Sequence, residues 1–228
     1  MNSFLLALQF LTTIPVMRSF NASDRQLGVS ALFYPLIGLI IGCLLVTLAS
    51  LLDHLSANIG ASLVLILWVV LTGGLHLDGL ADCADAWVGG LGDKQRSLEI
   101  MKDPAAGPIA VLVLVLIILL KWALLIEVIE TQMTARLIVV AMLGRLALLL
   151  LMLSTSYIRK GGLGAVIVKH LPESAAKGLS VIGISIGIYF LGWLAIALML
   201  LTLFIIKYQA YKRLGGVTGD VYGASVEL

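Results

Sequence analysis

Long apolar runs alternate with short polar segments along this chain, and the lengths of the runs predict membrane-spanning helices. A helix needs roughly 20 apolar residues to cross the hydrocarbon core of a bilayer. Four runs approach or exceed this length: Gly28–Leu52, Gly60–Leu77, Pro108–Ile126 and Leu137–Leu153. A fifth run, Leu179–Ile206, is long for one crossing and short for two. The pattern predicts an all-α, polytopic integral membrane bundle that forms a single domain over residues 1–228.

The positions of Lys and Arg decide how the fifth run is divided. An excess of these residues marks the cytoplasmic side of a membrane protein, and they follow the second and fourth runs. Lys207, Lys212 and Arg213 then follow the fifth run. A helical hairpin that turns near Leu191–Trp193 would return this basic group to the cytoplasmic side. The sequence therefore predicts about six transmembrane helices.

The segments outside the long runs complete the predicted topology. Phe4–Val16 is too short to span a bilayer and has no basic n-region, which favours an interfacial or re-entrant helix over a cleaved signal peptide. Pro35 lies inside the first run and is expected to kink it. Three long connections, at 78–107, 154–178 and 207–228, fall on the predicted cytoplasmic face, where we expect the chemistry.

Composition excludes several classes of protein. Hydrophobic residues make up 61% of the chain and charged residues only 12%, so neither a soluble globule nor a disordered chain fits. The formal net charge of +2 gives no indication of a nucleic-acid partner. Cys43 and Cys83 show no CxxC or Cys/His spacing, and neither a disulfide framework nor a zinc site is indicated.

The strongest chemical signal is the segment 73–85, with the sequence GGLHLDGLADCAD. Asp78, Asp82 and Asp85 stand at i, i+4 and i+7, which places their carboxylates on one helical face. Three like charges in one stripe repel, and a cation held by oxygen ligands, Mg²⁺ or alternatively Mn²⁺, would offset the repulsion. A solvated acidic face is the alternative, although no Lys or Arg is interleaved. His76 lies roughly opposite and fits either a structural or a substrate-binding role.

Two other places combine charge with an unusual position. Lys102 and Asp103 precede the third run, where they could hold a phosphate and a second metal, or could equally serve as a topological anchor and a helix cap. Arg145 interrupts the fourth run. An intramembrane Arg is costly unless it is paired or hydrated, which makes it a functional candidate, with an internal ion pair as the alternative.

The C-terminal segment Gly215–Glu227 is rich in glycine and also carries Thr218, Asp220 and Glu227. Glycine-rich turns let backbone N–H groups approach phosphate, and the two acidic residues could add ligands. A flexible tail would have a similar composition. The chain has no GxxxxGK[ST] motif, so a P-loop enzyme is excluded.

In order along the chain, these segments resemble the cobalamin synthase family, the adenosylcobinamide-GDP ribazoletransferases. The matching pieces are Phe10–Pro15, Tyr34–Gly38, Gly73–Asp82 with Asp85, Glu99–Asp103, Arg145, Gly162–Gly164, and in the tail Gly215–Gly216, Thr218–Asp220, Gly223–Ala224 and Glu227. Thr13 and Ala105 stand where many members have Arg. The family usually has one more apolar span after the glycine-rich tail, so we expect a chain that ends at Leu228 either to lack a final span or to be a variant with fewer.

The resemblance implies an activity and a set of roles. The family joins α-ribazole, or its 5′-phosphate, to adenosylcobinamide-GDP, releases GMP and forms adenosylcobalamin or its 5′-phosphate. The implied metal ligands are Asp78, Asp82, Asp85, Asp103 and Asp220, and the implied catalytic residues are Asp82 and Asp85, the latter as a ligand or as the base. The implied substrate-binding residues are Lys102, Arg145 and Lys169 as phosphate clamps, with His76, Gly216, Thr218, Gly219 and Glu227.

Further expectations follow from the resemblance and the topology. They are Mg²⁺ as cofactor, a bacterial inner (cytoplasmic) membrane location, a cytoplasm-facing active site, and compatibility with oligomers or with other nucleotide-loop assembly enzymes. Two alternatives stay open. One is another Mg²⁺-dependent membrane transferase, of CDP-alcohol or prenyl type, although the DGxxAR…GxxxDxxxD order of the first is absent. The other is a cation-coupled transporter or channel, whose sites usually lie near the membrane midplane.

Overall fold

The computed structural model describes residues 2–16, 22–159 and 161–228, and within them the regular structure is helical. An isolated parallel β-bridge joins Tyr157 to Val217. The helices are α1 Ser3–Leu11, α2 Asp24–Ser30, α3 Tyr34–Leu51, α4 Ala57–Thr72, α5 Leu75–Gly89, α6 Lys94–Ile100, α7 Pro108–Glu130, α8 Arg136–Ser154, α9 Leu163–Lys169, α10 Glu173–Leu191, α11 Trp193–Leu214 and α12 Gly219–Glu227.

The predicted number of spans agrees with the helices. In the described part of the chain, five helical stretches are long and apolar enough to cross a membrane: Asp24–Leu51, α7, α8, α10 and α11. The bent pair α4 and α5 raises the number to six if it is one span. The hairpin prediction is confirmed, because α10 ends at Leu191 and α11 begins at Trp193. The all-α polytopic bundle is confirmed in the same way.

The second span ends earlier than the sequence indicated. The apolar run continues to Leu77, but α4 stops at Thr72. Gly73 and Gly74 both have positive φ, at 62° and 69°, a conformation that disfavours any residue with a Cβ. The two glycines redirect the chain by 86° between α4 and α5. The acidic segment therefore lies on a separate helix rather than on the end of the span.

The first span and the N-terminal helix also differ in detail from expectation. Pro35 lies inside the helical stretch Asp24–Leu51, directly after a 3₁₀ turn at Ala31–Phe33 that separates α2 from α3. The proline has no N–H to donate, and the regular α-helical pattern is interrupted just before it. The N-terminal helix ends at Leu11 instead of Val16, and the Thr13 backbone N–H donates to the Leu71 carbonyl (2.8 Å).

Helix α8 lies at the centre of the bundle, whereas α7 is mostly at the surface: 67% of the apolar window of α8 is buried, against 11% for α7. Two glycines let α3 pack directly on the backbone of α8. A Cβ at Gly38 would lie 2.4 Å from the Ala141 carbonyl oxygen, and one at Gly42 would lie 2.4 Å from the Ile138 Cα. Small residues at such contacts are a general feature of helix packing in membranes.

The substitution Gly42→Ala tests this contact. The added Cβ meets backbone atoms of α8 that cannot move without separating the two helices, so we expect a loss of about 1–3 kcal/mol in stability. Thermal unfolding in detergent measures it. The matched control is Gly178→Ala in α10, where nothing lies within 4 Å of the new Cβ and alanine is the better helix former. Equal melting temperatures for the two variants would contradict the prediction.

Candidate active site

The acidic helix α5 and the C-terminal helix α12 cross at close range. A Cβ at Gly79 in α5 would lie 2.7 Å from the carbonyl oxygen of Asp220 in α12. A Cβ at Gly223 would lie 3.4 Å from the Cα of Gly79 and from that of His76. The crossing brings Asp220 close to Asp78, although the two residues are far apart in sequence.

Three features of the preceding loop fix the position of α12. Gly215 ends α11 in the left-handed conformation (φ 80°). The N–H of Val217 donates to the Ser156 carbonyl (3.0 Å), and the N–H of Ile158 donates to the Val217 carbonyl (3.0 Å). A Cβ at Gly216 would lie 2.3 Å from Cγ2 of Ile158, so glycine is needed here for packing.

Thr218 caps α12 and contacts its first acidic residue. The hydroxyl of this fully buried threonine accepts from the Val221 N–H (3.4 Å) and donates to Oδ2 of Asp220 (3.2 Å). Gly216 and Thr218, which the resemblance assigns to substrate binding, thus have packing and capping roles in the structure. Gly219 follows directly and lies in the wall of the cavity described below.

Arg159 supplies the positive charge beside the acidic residues. Its Nη2 lies 3.2 Å from Oδ2 of Asp220 and 3.4 Å from the Met101 carbonyl oxygen. Burial raises the pKa of Asp220 and the charge of Asp78 adds to this rise, whereas Arg159 and the Thr218 hydroxyl oppose it. The sequence analysis did not select Arg159 as a site residue.

A cavity of about 270 Å³ opens between these elements. Asp78, Asp220 and Arg159 supply its charged lining, and five aromatic rings contribute from separate segments: Phe10, Tyr34, His76, Tyr157 and Tyr222. The rings of Tyr157 and Tyr222 stack with centroids 5.9 Å apart. His76 is only 3% exposed, and its Nε2 has no hydrogen-bond partner among the described residues.

Asp85 faces away from this arrangement toward the start of α7. Its Oδ2 accepts from the Gly107 N–H (2.6 Å) and its Oδ1 from the Ala110 N–H (2.9 Å). The carboxylate therefore caps the N-terminus of α7, where backbone N–H groups have no partner within the helix. By contrast, Asp82 is half-buried and accepts no hydrogen bond from the described part of the chain. The negative charges of Asp220 and Asp78 lie close enough to repel the Asp82 carboxylate.

Glu227 and Arg145 belong to a second charged cluster, inside the bundle. Glu227 forms an ion pair with Lys121 of α7, a residue that the sequence analysis did not select. The Lys121 Nζ also lies 5.0 Å from the centroid of the Trp68 ring. Arg145 is 1% exposed, and within the described residues its Nε and Nη2 have no hydrogen-bond partner. These charges line a separate, largely apolar cavity of about 590 Å³.

The remaining predicted residues lie at the surface. Lys102, Asp103 and Lys169 are exposed, and none is among the described residues that line the 270 Å³ cavity. Asp103 accepts the Ala105 N–H (2.9 Å) within its own loop. Over the described ranges, no three His, Cys, Asp or Glu side chains converge closely enough to hold a metal ion. A Mg²⁺ ion commonly uses only one or two carboxylates and completes its shell with water and substrate phosphates.

Fold and site together define a polytopic helical membrane protein with acidic residues and an arginine around a small aromatic cavity. The family model for cobalamin-5-phosphate synthase (CobS) matches residues 3–228. The chain belongs to this family, which confirms the resemblance inferred from its motifs.

Curated relatives agree with the family match. A protein of Pseudomonas fluorescens (strain Pf0-1) is 46% identical over 226 residues, covering 98% of this chain and 93% of the relative. One of Acinetobacter baumannii (strain ATCC 17978) is 46% identical over 231 residues, with 100% and 93% covered. One of Stutzerimonas stutzeri (strain A1501) is 48% identical over 227 residues, with 98% and 92% covered. All three are named adenosylcobinamide-GDP ribazoletransferase. No solved structure matches significantly.

The substitution Asp85→Asn tests the capping role. An amide retains one acceptor oxygen but presents an NH₂ group to the other backbone N–H, so we expect a loss of about 1 kcal/mol in stability. Thermal unfolding without substrate or metal measures it. Asp82→Asn is the matched control, because it removes one of several repelling charges and no hydrogen bond. A variant at Asp85 as stable as the wild type would refute the assignment.

A double-mutant cycle tests the Lys121–Glu227 pair. Glu227→Gln leaves Lys121 and Arg145 as uncompensated cations, and breaking such a buried pair costs about 3–5 kcal/mol. Adding Lys121→Met removes one unpaired cation, and we expect the double variant to be more stable than Glu227→Gln alone. Unfolding in detergent measures all the variants. Strictly additive effects would show that the two side chains do not interact.

Proposed function

We propose that this protein joins α-ribazole, or its 5′-phosphate, to adenosylcobinamide-GDP, releasing GMP and forming adenosylcobalamin or its 5′-phosphate in a late step of cobalamin biosynthesis. The main support is the family match over residues 3–228, together with relatives of that printed name at 46–48% identity. The acidic cavity adds independent support, because phosphoryl transfer depends on positioning and on neutralising charge. The proposed setting is a bacterial inner membrane, with the site facing the cytoplasm.

The products define which bonds change. Release of GMP requires that a ribose hydroxyl of α-ribazole attacks the phosphorus attached to the cobinamide. The bond between that phosphorus and the bridging oxygen breaks, and the bridging oxygen leaves with GMP. The hydroxyl proton must go to a base. We assign this role to Asp82, because both oxygens of Asp85 already accept backbone N–H groups.

Asp78 and Asp220, which both line the cavity, are the residues proposed to hold Mg²⁺, with Mn²⁺ as the alternative. They fit a cation because the two carboxylates repel each other, and among the described residues it is Arg159 whose charge offsets this repulsion. When bound, the ion would neutralise the charge on the phosphate oxygens and orient the attacking and leaving groups. Arg159 would hold a further phosphate oxygen. Asp103, Lys102 and Lys169 lie outside this group and have no assigned step.

The reaction is tested with purified protein in lipid nanodiscs, supplied with adenosylcobinamide-GDP, α-ribazole and Mg²⁺. We expect GMP and cobalamin to appear together by chromatography and to disappear with EDTA. Asp82→Asn should lower the rate by a factor of about 10²–10⁴, because a general base is lost.

Asp53→Asn serves as the control, because Asp53 is exposed in the connection between α3 and α4. The Asp53→Asn variant should form GMP and cobalamin at the wild-type rate. Full activity of Asp82→Asn would refute the role of this residue. Product formation in excess EDTA would refute the role of Mg²⁺, and absence of GMP would refute the reaction.

A further inference from the structure

We propose that the 270 Å³ cavity is the acceptor pocket and that it takes the heteroaromatic base of α-ribazole, with the ribose at the charged side. The inference rests on the proposed function and adds which substrate occupies the cavity. The donor, adenosylcobinamide-GDP, would then remain outside and present only its reacting phosphate to Asp78 and Asp220.

The size of the cavity limits its occupant. Pockets for drug-sized ligands range from about 300 to 1,000 Å³, and this cavity, at about 270 Å³, lies just below that range. Its volume suits one nucleoside and is small for a corrin ring. The choice is therefore between α-ribazole and the guanosine end of the donor.

The distribution of polar groups favours α-ribazole. Aromatic and aliphatic side chains, among them Phe10, Leu148 and Met152, make up most of the wall away from the charged residues. Guanine carries several donors and acceptors, and burying them without partners is costly. The dimethylbenzimidazole base of α-ribazole has one free ring nitrogen and two methyl groups, so it needs only one polar partner.

His76 supplies that one partner. His76 is 3% exposed and belongs to the cavity lining, and among the described residues its Nε2 has no hydrogen-bond partner; the same holds for the hydroxyl of Tyr34, which is also buried in this lining. In the tautomer protonated at Nε2, it would donate to the free ring nitrogen of the base. Buried polar atoms in proteins nearly always have a hydrogen-bond partner, so Nε2 of His76 is available to a ligand in the cavity.

The same geometry places the rest of the acceptor. Asp78, Asp220 and Arg159 share the cavity lining with His76. A base held by His76 and the aromatic rings would direct its ribose toward these charged groups. The attacking hydroxyl would then lie beside the carboxylates, and Arg159 would be available to the 5′-phosphate of α-ribazole phosphate.

Binding measurements without turnover test this assignment. Calorimetry on the protein in nanodiscs gives separate affinities for α-ribazole and for adenosylcobinamide-GDP. We expect His76→Phe, which keeps an aromatic ring but loses Nε2, to weaken α-ribazole binding at least tenfold and to leave donor binding unchanged. His76→Gln, which retains an N–H donor, should recover part of the affinity. His54→Phe, at an exposed histidine between α3 and α4, is the matched control and should alter neither affinity.

A ligand analogue separates a lost hydrogen bond from altered packing. In the analogue, C–H replaces the free ring nitrogen of the base. The wild type should bind it about as weakly as His76→Phe binds α-ribazole, and His76→Phe should bind both nucleosides equally. Equal binding of the two nucleosides by the wild type would overturn the role of His76, even if a variant misfolds.

The outcomes also separate this inference from the proposed function. Weaker binding of the donor or of GMP in His76→Phe, with unchanged α-ribazole binding, would assign the cavity to guanosine and overturn the inference while the reaction stands. If α-ribazole binds with the expected dependence on His76 but no GMP is released, the proposed reaction is overturned and the assignment of the cavity to α-ribazole is supported. If the wild type does not bind α-ribazole, that assignment is overturned.

Discussion

The contact between α5 and α12 at Gly79 and Gly223 controls the geometry of the whole site. Any side chain at Gly79 would meet the backbone of Asp220, and the two helices would have to separate. Asp220 would then move away from Asp78, and Arg159 would move with its ion-pair partner. Small residues here act through the space they leave, as at other close helix contacts in membrane proteins. The chemistry of the carboxylates depends on this packing.

The two glycine pairs show how one motif can combine geometry with chemistry. Gly73–Gly74 precedes α5, and Gly215–Gly216 precedes α12, so each acidic helix follows a long apolar helix and a glycine-rich turn. Positive φ at the first residue of each pair ends the long helix. Gly215 and Gly216, in the segment where the sequence suggested phosphate contacts, thus first determine where the Asp220 carboxylate lies. The acidic residues follow a few positions later, on the helices so placed.

Sequence patterns predicted the features that depend on bilayer thickness and on local sequence. The turn at Gly192 follows from the length of the apolar run and from the side of the membrane on which the basic residues fall, and both can be found from neighbouring residues alone. Contacts between distant residues were not predictable in this way. Asp82 and Asp85 share a helical face, and only the tertiary structure brings the N–H groups of Gly107 and Ala110 to Asp85. Arg159 likewise is one of the basic residues that follow the fourth apolar run, and only the fold brings it to Asp220.

Helix α12 connects the two charged clusters, because Asp220 lies near its start and Glu227 at its end. A helix of nine residues has little stability alone, and ion pairs with Arg159 and Lys121 hold its two ends. The pair with Lys121 is inside the bundle, whereas the pair with Arg159 borders the cavity. In the proposed reaction, a phosphate that binds Arg159 would release Asp220 for a cation. Anion and cation binding would therefore favour each other, while Glu227 keeps the helix in place.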